Sequence, residues 1–255
     1  MRIAPCNFSR YHIAMNTIAQ ALNDVWMRKN QAALSAGRDP AEIRVLLATK
    51  RVEADRICQA IAAGADLIGE NRVQEALEKQ EALAPYFGNA DEKTQPDRPK
   101  LEQHFIGHLQ SNKIKDMLSY AQMLHSLDRI SLAEKLETIL EQHNRDFPVL
   151  IQVNTSQEES KFGLMPDEVM DFVQHVLDLP RLQLKGFMTI GLNSSNSEAV
   201  RESYRKLRIL RNEAQQQFSV SLPELSMGMS GDFELAIAEG ATIIRPGSAV
   251  FGYRG

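Results

Sequence analysis

Val45-Leu46-Leu47-Ala48-Thr49-Lys50 is an apolar run closed by a lysine, and helical patterning resumes at residue 53. A short continuous apolar run is what a strand buried on both faces looks like. A lysine at the C-terminal end of a first strand points into the mouth of an α/β barrel, the face that carries the active sites of that fold. An amine held there can form a Schiff base with an aldehyde cofactor or with a carbonyl substrate. The run by itself leaves both chemistries open.

Outward from this run, strand-like and helix-like segments alternate. Further strand candidates are 66–69, 103–107, 123–127, 149–154, 184–190, 225–229 and 242–246. Helical segments follow, the best of them at 53–63, 71–84, 131–143, 166–178 and 198–217. Residues 12–36 read as a long opening helix ended by Gly37, a residue suited to the left-handed cap. Alternating βα units imply parallel pairing through helical crossovers. Eight such units in 255 residues predict a (β/α)8 TIM barrel, one domain over 1–255 with 1–12 as an N-terminal extension. An open doubly wound sheet is the alternative. It lacks support because no GxGxxG follows the first strand and no acidic residue stands where a ribose would need it. The polar stretch 88–100 reads as a surface loop, and 192–197 as a loop over the mouth able to act as a lid.

Composition narrows the function classes. Hydrophobic residues are 43% and charged residues 24%, as in ordinary globular chains. The net charge of -4 gives no basic face for nucleic acid. Cys6 and Cys58 form neither a metal-ligand spacing nor a disulfide framework. The N-terminus lacks the apolar core of a signal peptide, and no apolar run approaches a membrane span. The expectation is a cytoplasmic protein.

The last two strand ends suggest an anion site. The seventh ends in Ser226-Met227-Gly228-Met229-Ser230 and the eighth in Arg245-Pro246-Gly247-Ser248. Barrels often hold a phosphate between these two loops. Glycines permit close backbone approach, and free N–H groups at a helix start favour an anion. Taken singly, Ser230 and Ser248 each read as a helix N-cap. Taken together at these loops, they read as phosphate donors. Arg245 continues the run Thr242-Ile243-Ile244 and should point inward, where it needs an acceptor; the alternative to a ligand is an ion pair with Glu70. Asn71 reads as an N-cap that is also placed to reach into the mouth. His104 and His108 lie about 13 Å apart on a strand at ~3.3 Å per residue, too far to share a metal. His104 reads as a buried, satisfied histidine, and no metal is expected. Lys161 reads as an exposed loop lysine, and Met188 and Thr189 stay open between core and mouth.

These pieces resemble one family, the YggS/PROSC-like pyridoxal 5'-phosphate (PLP) homeostasis proteins, related to the N-terminal barrel of alanine racemase. The resemblance runs from Val45 to Gly252. It rests on LLATK (46–50), GENRVQE (69–75), HFIGHLQSNK (104–113), VNTSQEESKFG (153–163), KGFMTIG (185–191), LSMGMSGDFELAI (225–237) and IRPGSAVFG (244–252). It implies the type III fold of PLP proteins. It also implies that Lys50 carries the Schiff base, that Ser230, Gly247 and Ser248 hold the phosphate, and that Arg245 faces the pyridine nitrogen. Asn71 and Met229 would lie against the ring or its substituents. The implied role is a monomeric PLP reservoir that passes the cofactor to apo PLP-dependent enzymes. No residue is assigned a catalytic role.

Two departures stand out. The family pattern Ser-Lys-Thr-Lys-Pro is here Thr49-Lys50-Arg51-Val52-Glu53, without the second lysine, and Pro246 replaces an aliphatic residue. An arginine opposite the pyridine nitrogen keeps it unprotonated, and so makes PLP a poor electron sink. Racemases that share this arginine add a tyrosine from a second domain, which this sequence is not expected to supply. The carrier reading therefore stands ahead of a racemase-like enzyme or a Schiff-base aldolase acting on a phosphorylated substrate.

Overall fold

The computed structural model describes residues 17–87 and 101–252. The expected extension at 1–12, the first residues of the opening helix at 12–16, Cys6, and the loop at 88–100 lie outside them. Helix α1 is Ile18–Ser35. It begins at Thr17, whose Oγ1 accepts from the Gln20 backbone while the Gln20 side chain accepts from Thr17 N, a reciprocal capping box. Gly37 follows with φ +68°, as the sequence suggests.

The strands form a single parallel sheet. Strand β1 runs in two pieces, Arg44–Val45 and Leu47–Ala48. The others are β2 (Leu67–Glu70), β3 (Glu102–Phe105), β4 (Met123–Leu127), β5 (Phe147–Gln152), β6 (Leu182–Met188), β7 (Glu224–Ser226) and β8 (Ile243–Ile244). The two pieces of β1 close the barrel. Arg44 and Val45 pair with Ile243 and Ile244, whereas Leu47 and Ala48 pair with Ile68 and Gly69. The break at Leu46 marks the change of partner, not a break in hydrogen bonding: Leu46 N donates to Ile244 O and Ala48 N to Pro246 O, both at 2.9 Å. Pro246 therefore lacks a donor but still closes the barrel through its carbonyl. The molecule is a (β/α)8 barrel.

Strand parity sorts the apolar residues into two cores. Leu46, Leu67, Ile106 and Ile243 meet inside the barrel. Leu47, Ile68, Phe105, Val149, Phe187 and Ile244 face outward into the larger core beneath the helices. Those helices are α2 (Ala54–Ala62), α3 (Val73–Phe87), α4 (Ile114–Leu118), α5 (Ile130–Gln142), α6 (Val169–Leu177), α7 (Ser197–Phe218), α8 (Phe233–Ala238) and α9 (Ser248–Phe251). α1 packs against α2, α8 and α9.

β7 and β8 stop earlier than their apolar runs suggest. Gly228 turns the chain at φ +91°, and Arg245 N donates to Gly228 O at 2.8 Å, so both runs end as loops that lean on each other. A side chain at Gly228 would strike Phe233 Cα at 2.9 Å, hence only glycine lets the loop lie this close to α8.

Candidate functional site

Lys50 shares the inward parity of Leu46 and Ala48 and is half-buried at the C-terminal end of β1. It sits in a turn closed by Val52 N donating to Thr49 O at 3.0 Å. The next residue, Arg51, has φ +55°, which costs strain for a non-glycine residue, and its N–H donates to Glu75 Oε2 at 2.8 Å. Beneath the turn, Lys79 Nζ donates to Thr49 O (3.0 Å) and to Glu70 Oε1 (2.7 Å), and Thr49 Oγ1 donates to the same carboxylate oxygen at 2.7 Å. Glu70 is fully buried. Burial raises its carboxyl above the ordinary range, while Lys79 and Thr49 pull it the other way. The lysine turn is thus pinned from outside the sheet by α3. Sequence reasoning missed Lys79, although Glu75 and Lys79 stand four apart on one helix face, in the favourable order.

Across the mouth, Ser230 Oγ accepts from Gly247 N and Ala249 N, both at 3.0 Å. Neither serine caps a helix. Asp232 holds the N-cap position of α8 and Gly247 that of α9. The capping alternative therefore fails. Ser230 instead ties the seventh loop to the eighth, and two backbone donors converge on one oxygen. Donors arranged in this way suit a phosphate oxygen as well as a hydroxyl. Ser248 is half-buried beside them, and Met229 is exposed, its N–H donating to Asp232 Oδ1 at 2.6 Å.

Arg245 is 5% exposed. Its Nη1 donates to Ser226 Oγ at 2.8 Å and its Nη2 to Thr189 O at 2.7 Å. Glu70 is not its partner, since that carboxylate is paired with Lys79 outside the barrel. Residues 68 and 70 face outward by the same parity that turns Arg245 inward. Burial pushes the guanidinium down to about 10, opposed by the Tyr204 hydroxyl and Asp232, so it remains a cation at neutral pH. The Thr189 side chain is buried, with Oγ1 3.0 Å from Thr155 Oγ1, and its carbonyl is what meets Arg245.

Asn71 lies just beyond β2, half-buried, two residues before α3 begins at Val73, so it precedes the capping position. A Cβ at Gly107 would collide with the Asn71 backbone carbonyl, so this glycine lets the two strand ends touch. Asn71, Gln74, Phe105, His108, Gln110 and Lys113 line a cavity of about 380 Å³. His108 stacks on Phe162 with ring centroids 4.0 Å apart, whereas His104 is buried inside the barrel. The two histidines do not converge, and among the described residues no group of three or more side chains is set to hold a metal.

Lys161 departs from expectation. It is part-buried, and its Nζ donates to Glu158 Oε1 (2.6 Å) and Gly191 O (2.7 Å), tying the loop after β5 to the loop after β6. Within the stretch 192–197, Asn196 caps α7 by accepting from Glu198 N and Ala199 N, and Ser197 is already the first helical residue.

Lys50, the Ser230–Gly247 junction and Arg245 thus come from strands β1, β7 and β8, neighbours across the barrel seam. The family model of the alanine racemase N-terminal domain matches residues 27–255. The chain belongs to that family. Within it, the chain stands with the pyridoxal phosphate homeostasis proteins. That of Aquifex aeolicus is 41% identical over 92% of this chain and 97% of its own length. That of Pseudomonas aeruginosa is 40% identical over 94% and 97%. Among solved structures, PipY of Synechococcus elongatus with PLP bound is 32% identical, with a TM-score of 0.77 over 92% of this chain and 100% of PipY.

Proposed function

We propose that this protein binds PLP, held covalently and reversibly by the Lys50 amine, and serves intracellular PLP homeostasis without amino-acid turnover of its own. The observation that carries the reading is the convergence of Gly247 N and Ala249 N on Ser230 Oγ, at the barrel mouth that also receives Lys50 and Arg245. Ser230, Gly247 and Ser248 bind the phosphate, with Ser230 giving up its two backbone donors to the ligand. Arg245 faces the pyridine nitrogen, and Asn71 and Met229 border the ring. Bound PLP supplies an electrophilic aldehyde and a ring able to accept electrons.

The chain's own residues favour holding over turnover. Arg245 is a buried cation and donates only, so it offers the pyridine nitrogen no proton that is easily lost. The type of relative supports the same reading, and the PLP bound in PipY supports PLP as the group held. The whole chain acts as one PLP-binding barrel domain, monomeric and cytoplasmic, and delivers PLP to apo-enzymes. Among the described residues no helix is long and apolar enough to cross a membrane.

The deciding experiment is the absorption spectrum of freshly purified protein before and after borohydride, with peptide mapping of the reduced adduct. A yellow protein whose reduced cofactor maps to Lys50 is expected. Colourless protein, or an adduct elsewhere, defeats the assignment and leaves an aldolase reading in front. Robust racemisation or decarboxylation of amino acids by the pure protein would overturn the non-catalytic role.

A further inference from the structure

A continuous polar column crosses the barrel interior. At the lower rim Arg44 Nη2 donates to Glu102 Oε2 at 2.8 Å, and His104 Nε2 faces the same oxygen at 3.3 Å. His104 Nδ1 lies 2.9 Å from His125 Nε2, and His125 Nδ1 lies 2.9 Å from Ser226 Oγ. Ser226 Oγ then accepts from Arg245 at the mouth. Both imidazoles and Ser226 are at most 1% exposed.

The direction of the hydrogen bonds follows from the Glu102 end. Glu102 is held down to about 2, first by His104 and then by Arg44, so it is ionised and only accepts. Arg245 only donates. Burial lowers both histidines below their ordinary value; at His125 the charges of His104, Arg245 and Arg44 reinforce this, and at His104 Glu102 opposes it without reversing it, so each imidazole is neutral, with one donor and one acceptor. His104 must then donate from Nε2 to Glu102 and accept at Nδ1. His125 must donate from Nε2 to His104 and accept at Nδ1. Ser226 must turn its only hydrogen to His125, presenting lone pairs alone to Arg245. The reverse order would need a protonated Glu102 facing His104 Nε2; the Arg245 end fits either order, because a serine oxygen can accept twice.

We propose that Glu102, His104, His125 and Ser226 are positioning residues for Arg245, forming a one-directional relay that links its guanidinium to a carboxylate at the opposite end of the barrel. The relay locks the Ser226 hydroxyl as an acceptor, and with Thr189 O this fixes the guanidinium plane. It also aligns a file of dipoles that favours the cation, in place of a contact ion pair. Its consequence for the cofactor rests on the PLP site proposed above, but the relay itself does not.

The test uses the full chain with ¹⁵N-labelled histidine, prepared free of PLP. Long-range ¹H–¹⁵N spectra between pH 6 and 8 should show His104 and His125 as neutral Nε2–H tautomers. A Nδ1–H tautomer or a charged ring at either position overturns the relay. In the second arm, PLP affinity and absorption are measured for Ser226→Ala, Ser226→Thr and His125→Phe. Ser226→Ala should weaken binding roughly tenfold and shift the pH midpoint of the PLP absorption band, while Ser226→Thr, which keeps the hydroxyl, restores both. His125→Phe should act in the same direction without adding to Ser226→Ala. Unchanged affinity and midpoint in Ser226→Ala overturn the positioning role. A parent protein that binds no PLP removes the Lys50 reading, and the tautomers then still decide the relay.

Discussion

Two buried ionic groups flank the same barrel mouth and are built in opposite ways. Outside the sheet, Glu70 and Lys79 touch at 2.7 Å and act on the backbone, gripping Thr49 O below the Lys50 turn. Inside the barrel, Arg245 is buried with no carboxylate in contact, and its hydrogen-bonded column reaches one, Glu102, only through a hydroxyl and two imidazoles. A contact pair holds a chain segment in place, whereas a relay holds one side chain in one orientation. The first should therefore show itself in stability, and the second in the properties of whatever meets Arg245.

The largest effect is expected at Lys50 itself. Lys50→Ala should abolish the borohydride-trapped PLP adduct, as read by mass spectrometry, while leaving the urea midpoint close to the parent. A retained adduct would place the attachment elsewhere.

Breaking the outer pair comes next. Lys79→Met leaves the Glu70 charge buried without its partner and should cost about 3–5 kcal/mol in urea unfolding. Adding Glu70→Gln should recover much of that loss. If Lys79→Met unfolds like the parent, the turn does not depend on this pair.

The two serines should part company. Ser230→Ala strands the N–H groups of Gly247 and Ala249, and should lose about 1–3 kcal/mol of stability as well as PLP affinity. Ser248→Ala should lower affinity alone. Equal behaviour of the two in thermal and PLP titrations would contradict the tie between the loops.

The smallest effect is a pH slope. His125 titrates well below its ordinary 6.5 in the folded state, so the unfolded chain binds the extra proton first as pH falls. Stability should therefore decline as pH drops below 6.5, and His125→Phe should flatten that decline between pH 7 and 5. Glu102 has the same sign, since its pKa is depressed to about 2 and its contribution is lost as pH falls from 4.5 toward that value. Glu70 has the opposite sign, because its folded pKa is raised and protonation favours the native state. Urea unfolding at several pH values separates the inner column from the outer pair.

Local sequence carried much of this molecule. Apolar runs and their spacing determined the strands, their alternation with helices determined the barrel, and the strand-end position of Lys50 and the apolar run that Arg245 continues pointed both inward. Gly228 and Gly247 marked the loops that meet. All of these are statements about neighbours along the chain, where backbone geometry ties position to direction. Tertiary structure alone decided the partners. Glu70 chose Lys79 over Arg245 because they share the outer face, and Ser230 became a bridge, not a cap, because the loop after β8 folds against it. Glu102, His104, His125, Ser226 and Arg245 come from β3, β4, β7 and the end of β8, up to 101 residues apart between hydrogen-bonded neighbours. No local period records such a column; closing the barrel is what brings its members within hydrogen-bonding distance.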